Sequence, residues 1–76
     1  MISITILYFA HLRETRGVSE EMMRLEDPVS IGALFSQIFN MPSTGVRFAI
    51  DAEYVSADTL LSDGDEIAFL PPMGGG

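Results

Sequence analysis

The chemistry this sequence offers is concentrated at its end, where Pro71-Pro72 runs into Met73-Gly74-Gly75-Gly76. Glycine has no Cβ and a proline pair favours an extended backbone. Residues 71 to 76 therefore span on the order of 15–20 Å at about 3.1–3.5 Å per residue, enough to carry a terminal carboxylate into another protein's active site. A chain end without bulky side chains can thread a narrow channel. Its carboxyl carbon is open first to an activating nucleotide and then to a sulfur donor. The tail, residues 73–76, is expected to be flexible and to add nothing to a core. Two plainer readings stand beside this one: a cloning remnant, or a disordered end with no chemistry.

The other reactive residues offer less. His11 is the one histidine and there is no cysteine, so thiolate metal sites, disulfides and a cysteine nucleophile are excluded, and no metal site is expected. All four basic residues are arginines, which removes lysine Schiff-base chemistry and lysine-linked chains built on this protein itself. Asp63, Asp65 and Glu66 lack the spaced oxygen ligands of a calcium loop and read as a turn before a strand. Arg13 and Glu14 read as exposed charges pairing with neighbours on a helical turn.

Eleven acidic residues against four arginines give a net charge of −7, which repels nucleic acid and anionic membrane surfaces alike. Seventy-six residues make one domain, in which roughly 60% of the unfolded surface is buried. No apolar run approaches the roughly 20 residues of a membrane span, and Met1 to Ile6 has neither a basic flank nor a continuous apolar stretch. A cytoplasmic protein is expected.

Positioning a tail requires a rigid body, and the hydrophobic pattern supplies one. Ile2, Ile4, Ile6 and Tyr8 alternate with Ser3, Thr5, Leu7 and Phe9, the period of a strand whose far end is apolar on both faces. Cover for Leu7 and Phe9 comes from another element or from a partner. His11 to Gly17 is a short polar stretch able to form a helical turn, and Gly17 is a point for the chain to reverse into a second strand through Glu21 to Leu25. Ser30 caps a helix with Ile31, Leu34, Phe35, Ile38 and Phe39 on one side, stopped by Asn40 and Pro42. Val46, Phe48 and Ile50 mark a third strand, Tyr54-Val55 a short edge piece, Thr59-Leu60-Leu61 a connecting turn, and Glu66 to Leu70 the last strand. The order predicts an α+β fold of the β-grasp type. It has a mixed sheet of four to five strands, the last parallel to the first, under one main helix, with the domain over residues 1–72.

These residues resemble the MoaD family, the ubiquitin-like small subunits of molybdopterin synthase. The likeness rests on Phe9-Ala10-His11-Leu12-Arg13-Glu14-Thr15-Arg16-Gly17, on Asp58-Thr59-Leu60, and on DGDEIAFLPPMGGG at residues 63–76. It spans the whole chain in length and element order and is sharpest at the C-terminus. Two features depart from the family pattern: three glycines where two are needed, and Asp51 where asparagine is common.

The resemblance implies a cycle. An adenylyltransferase similar to ubiquitin-activating enzymes uses ATP to adenylate Gly76, and a sulfur donor converts the adenylate to a thiocarboxylate (a 1-thioglycine). The tail, with Gly74 and Gly75 threading, then enters the large synthase subunit and gives sulfur to a cyclic pyranopterin phosphate. It further implies a heterotetramer whose catalytic residues lie in the large subunit, no bound cofactor in this chain, and an interface made by Phe9, Leu70, Pro71, Pro72 and Met73. Two alternatives stay open: a sulfur carrier for thiamine, cysteine or transfer-RNA thiolation, and a protein modifier joined through Gly76 to lysines of other proteins.

Overall fold

The computed structural model describes residues 1–71, and the expectations for Pro72, Met73, Gly74, Gly75 and Gly76 lie outside the described residues. Chain order is β1 (Ile2–Tyr8), α1 (Ala10–Arg16), β2 (Glu20–Leu25), α2 (Ile31–Phe39), β3 (Arg47–Ile50), β4 (Glu53–Val55) and β5 (Glu66–Leu70). The sheet order is β2-β1-β5-β3-β4, with β1 and β5 parallel and every other pairing antiparallel. This is the expected β-grasp arrangement: first and last strands lie side by side at the centre, and the sheet has five strands.

Alternation in β1 buries Ile4, Ile6 and Tyr8, and alternation in β5 buries Ile67 and Phe69 on the same side. α2 lies against that side through Ile31, Leu34 and Phe35, its first turn held by Ser30, whose hydroxyl accepts from the Ala33 N–H at 3.2 Å. It stops at Asn40, which takes the left-handed conformation at φ +55 and donates its N–H to the Ser36 carbonyl. Phe35 is the hub of the core, with ring centroids 4.8 Å from Phe39, 5.3 Å from Phe69 and 6.0 Å from Phe48. Such offset and edge-on contacts add about 0.5–1.5 kcal/mol each beyond the area they bury.

Two places differ from the sequence expectation. The stretch after β1 is a seven-residue helix rather than a turn, because Leu12 reaches the core and Gly17, at φ +79, closes the helix with its N–H on the Arg13 carbonyl at 2.8 Å. Leu61, read as part of a connecting turn, is a core residue, and its N–H donates to the Val29 carbonyl at 3.0 Å.

Candidate functional site

The helices cover one face of the sheet, and among the described residues no element covers the other. The register assigns that open face row by row. Leu7 pairs with Ala68, Ala68 with Ala49, and Ala49 with Tyr54, so four strands contribute one row. One step toward the end of β5, Leu70 pairs with Arg47, and Phe9 follows Tyr8, the partner of Phe69. Leu7, Phe9, Ala49, Ala52, Tyr54, Glu66, Ala68 and Leu70 together line a shallow hollow of about 290 Å³. Its lining combines three alanines with larger apolar side chains and one acid, Glu66.

Phe9 stays on this face because of the corner it occupies. It is extended at φ −127 and ψ 154, its carbonyl accepts from the N–H groups of Leu12 and Arg13, and Ala10 follows at φ +52. The side chain remains 42% exposed, an unusual loss of burial for a phenylalanine beside a core. Phe9 and Leu70, the interface residues expected from the sequence, thus share one hollow, and Pro71 continues from its rim, half-buried. Tyr54, 69% exposed, and the two alanines were not singled out from sequence. The available signal was alternation, since Ala49 lies between Phe48 and Ile50, and Ala68 between Ile67 and Phe69.

Electrostatics fix the corner behind Phe9. The Tyr8 hydroxyl donates to Glu21 Oε1 at 2.7 Å, and Arg16 Nη2 donates to Glu21 Oε1 and Oε2 at 2.9 and 3.1 Å. Burial, and then the hydrogen bond to Glu21 and its charge, push the Tyr8 pKa up to about 12. The Tyr8 hydrogen bond and then that of Arg16 hold the Glu21 carboxyl below its ordinary value. The ion pair of this region joins Arg16 to Glu21, and neither Arg13 nor Glu14, the charges singled out from sequence, takes part in it. It ties α1 to β2 across the gap that Gly17 opens.

The acidic end of the sheet is structural. Asp63 Oδ1 accepts from the Ser3 N–H at 2.7 Å and Asp65 Oδ2 from the Ser62 N–H at 2.8 Å, as expected for a turn. Asp51 sits at φ +49 and Ala52 at φ +70, a two-residue turn of the I′ type joining β3 to β4. Asp51 Oδ1 also accepts from the Glu66 N–H at 3.2 Å, so the residue that departs from the family's asparagine bonds across to β5. His11 is exposed, and its carbonyl accepts from the Thr15 hydroxyl at 2.9 Å. Among the described residues, no three His, Cys, Asp or Glu side chains are grouped to hold a metal ion, and no helix is long and apolar enough to cross a membrane.

The sequence model of the ThiS family matches residues 6–76. The chain belongs to the ThiS family. One relative, the molybdopterin synthase sulfur carrier subunit of Chlamydomonas reinhardtii, is 38% identical over 84 residues, covering 99% of this chain and 100% of the relative. Among solved structures, the putative molybdopterin converting factor subunit 1 of Pyrococcus furiosus is 26% identical with a TM-score of 0.77, covering 96% of this chain and 100% of that one. The small archaeal modifier protein 1 of Methanosarcina acetivorans is 25% identical with a TM-score of 0.76, covering 100% and 98%. For this ThiS-family chain, then, the β-grasp body and the open apolar face occur together with relatives named as sulfur carriers.

Proposed function

We propose that this chain is a sulfur carrier and the small subunit of molybdopterin synthase, acting in molybdenum cofactor biosynthesis. The observation that carries the reading is the apolar hollow at the end of β5, directly before the glycine-rich residues in the chain. A carrier needs a docking face beside its reactive end, so that binding energy can hold that end in a partner's site.

In this reading an oxygen of the Gly76 carboxylate attacks ATP in a ubiquitin-activating-enzyme-like adenylyltransferase, pyrophosphate leaves, and a sulfur donor then displaces AMP to give the thiocarboxylate. The large subunit takes up Gly74 and Gly75 and supplies the acids and bases. Sulfur passes to the cyclic pyranopterin phosphate, and the carboxylate returns. Phe9, Leu70, Pro71, Pro72 and Met73 make the interface, the assembly is a heterotetramer, and the compartment is the cytoplasm. Support comes from the full-length similarity to a named sulfur carrier subunit.

The direct test incubates the chain with ATP, the adenylyltransferase and a sulfide source, then locates the replacement of oxygen by sulfur through fragment mass spectrometry. Localisation matters, because oxidation of any of five methionines gives nearly the same mass gain. Sulfur confined to Gly76 and dependent on ATP is the expected result. Sulfur absent, with glycine-tailed adducts on lysines of other proteins, favours a modifier, the reading that the likeness to small archaeal modifier protein 1 supports. Phe9→Asp should cost about 2 kcal/mol or more of binding to the large subunit, roughly a 30-fold loss, with the fold retained.

A further inference from the structure

We propose that Arg47, laid over Tyr54 and paired with Leu70 beside the open-face hollow, receives an aspartate or glutamate side chain of the large synthase subunit and so sets the orientation of docking. This inference rests on the docking reading above and specifies its chemistry.

Arg47 shares the open face because its neighbour Phe48 is buried in the core. Its strand partner is Leu70, and its guanidinium carbon lies 5.3 Å from the centroid of the Tyr54 ring. Stacking on a ring restrains the guanidinium plane while leaving its edge N–H groups free to take a carboxylate in a bidentate manner.

That edge has no taker among the described residues. The chain carries eleven acidic residues against four arginines, yet none of the hydrogen bonds or ion pairs among the described residues uses the Arg47 guanidinium. Arg16, by contrast, is held by Glu21 at 2.9 Å. In so acidic a chain, an exposed cation on an aromatic ring beside an apolar hollow is matched to a negative group arriving from outside. Arginine and tyrosine are also the residue types over-represented among side chains that dominate interface energies.

The same hollow reaches Glu66 at its other end. Glu66 and Leu70 are four residues apart on β5, about 13 Å at roughly 3.3 Å per residue. The open face thus carries Arg47 beside the end of β5, next to Leu70 and Tyr54, and Glu66 where β5 begins, and a partner with its acid at the wrong end meets Glu66 instead. Guanidinium is less strongly hydrated than ammonium, so an arginine here loses less on desolvation than a lysine would.

The test is a titration of the full chain against purified large subunit from the same genome at several salt concentrations, comparing wild type with Arg47→Gln, Arg47→Glu, Arg47→Lys and Phe9→Asp. Circular dichroism serves as the folding control. Arg47→Gln should weaken binding roughly tenfold and flatten its salt dependence, Arg47→Glu should weaken it further, and Arg47→Lys should keep the salt slope with a smaller loss. Wild-type affinity and salt slope in Arg47→Gln and Arg47→Glu, with binding lost in Phe9→Asp, would overturn the proposal and leave the docking face intact. Wild-type binding by Phe9→Asp as well would remove the docking reading itself.

Discussion

Replacing Tyr8 by phenylalanine should make this protein less stable near neutrality and more stable in strong alkali. The ring remains in the variant, so its edge-on contacts with Phe39 and Phe69, at 6.0 and 6.1 Å, are preserved. What goes is the hydroxyl that donates to Glu21 Oε1 at 2.7 Å. Glu21 keeps Arg16 as a donor, so the loss near pH 7 is that of a single net hydrogen bond, about 1–1.5 kcal/mol. In wild type the folded Tyr8 pKa is about 12 against an ordinary value of 10.0. A folded pKa raised above the unfolded one means the stabilisation is complete below the unfolded value and is lost as pH climbs from 10 toward 12. Linkage then removes roughly 1 kcal/mol by about pH 11 and roughly 2 kcal/mol by about pH 12. The stability curves of the two chains should therefore cross near pH 11. Glu21 loses its Tyr8 hydrogen bond in the variant, but it is ionised in both chains throughout the alkaline range and so adds nothing to the pH dependence there. Urea denaturation followed by far-ultraviolet circular dichroism suits the measurement, because the chain has no tryptophan and tyrosine emission changes on ionisation. If wild type keeps the same advantage over Tyr8→Phe through about pH 12, the phenol is not held protonated by its site and the reasoning fails.

Ala52→Gly should stabilise the fold by about 0.5–1 kcal/mol, since Ala52 sits at φ +70 where a Cβ is unfavourable, and relief of that strain exceeds glycine's entropy cost. An unchanged or lower urea midpoint would count against the strain. Gly32→Ala should do the opposite: a Cβ there would lie 2.8 Å from the Ala57 Cβ and 2.9 Å from its carbonyl oxygen, which already accepts the Gly32 N–H at 2.8 Å. Overpacking of about 2–3 kcal/mol outweighs the roughly 1 kcal/mol of helix propensity gained, so a lower melting temperature is expected, with part of it recovered by adding Ala57→Gly.

Much of this architecture is legible locally. Ile4, Ile6 and Tyr8 declare a strand because neighbours two apart share a face, and Ser30 with Ile31, Leu34 and Phe35 declares a capped helix because residues three and four apart do. Asn40 announces its own stop. α1 was not legible, because a helix held by the single core residue Leu12, a glycine and one ion pair has no hydrophobic period to read. The turn at Asp51-Ala52 was hidden for a related reason: it lacks the glycine that normally marks two consecutive left-handed residues.

The candidate site divides along the same line. The apolar end of β1 and the residues at the end of β5 identify Phe9, Leu70 and the glycines as a group worth attention, since unexplained exposure and an unobstructed backbone are properties of short segments. The hollow itself is not such a property. Leu7, Ala68, Ala49 and Tyr54 come from four strands, and only the parallel pairing of β1 with β5 and the antiparallel pairings of β3 set them in one row. Register between distant strands is fixed by what the opposite face buries, and here that is the core of Phe35, Phe48 and Phe69 beneath α2. The sequence on its own determined the strands and α2 and which residue types are available for chemistry. The tertiary structure alone decided which exposed side chains meet, because that depends on pairings between residues tens of positions apart.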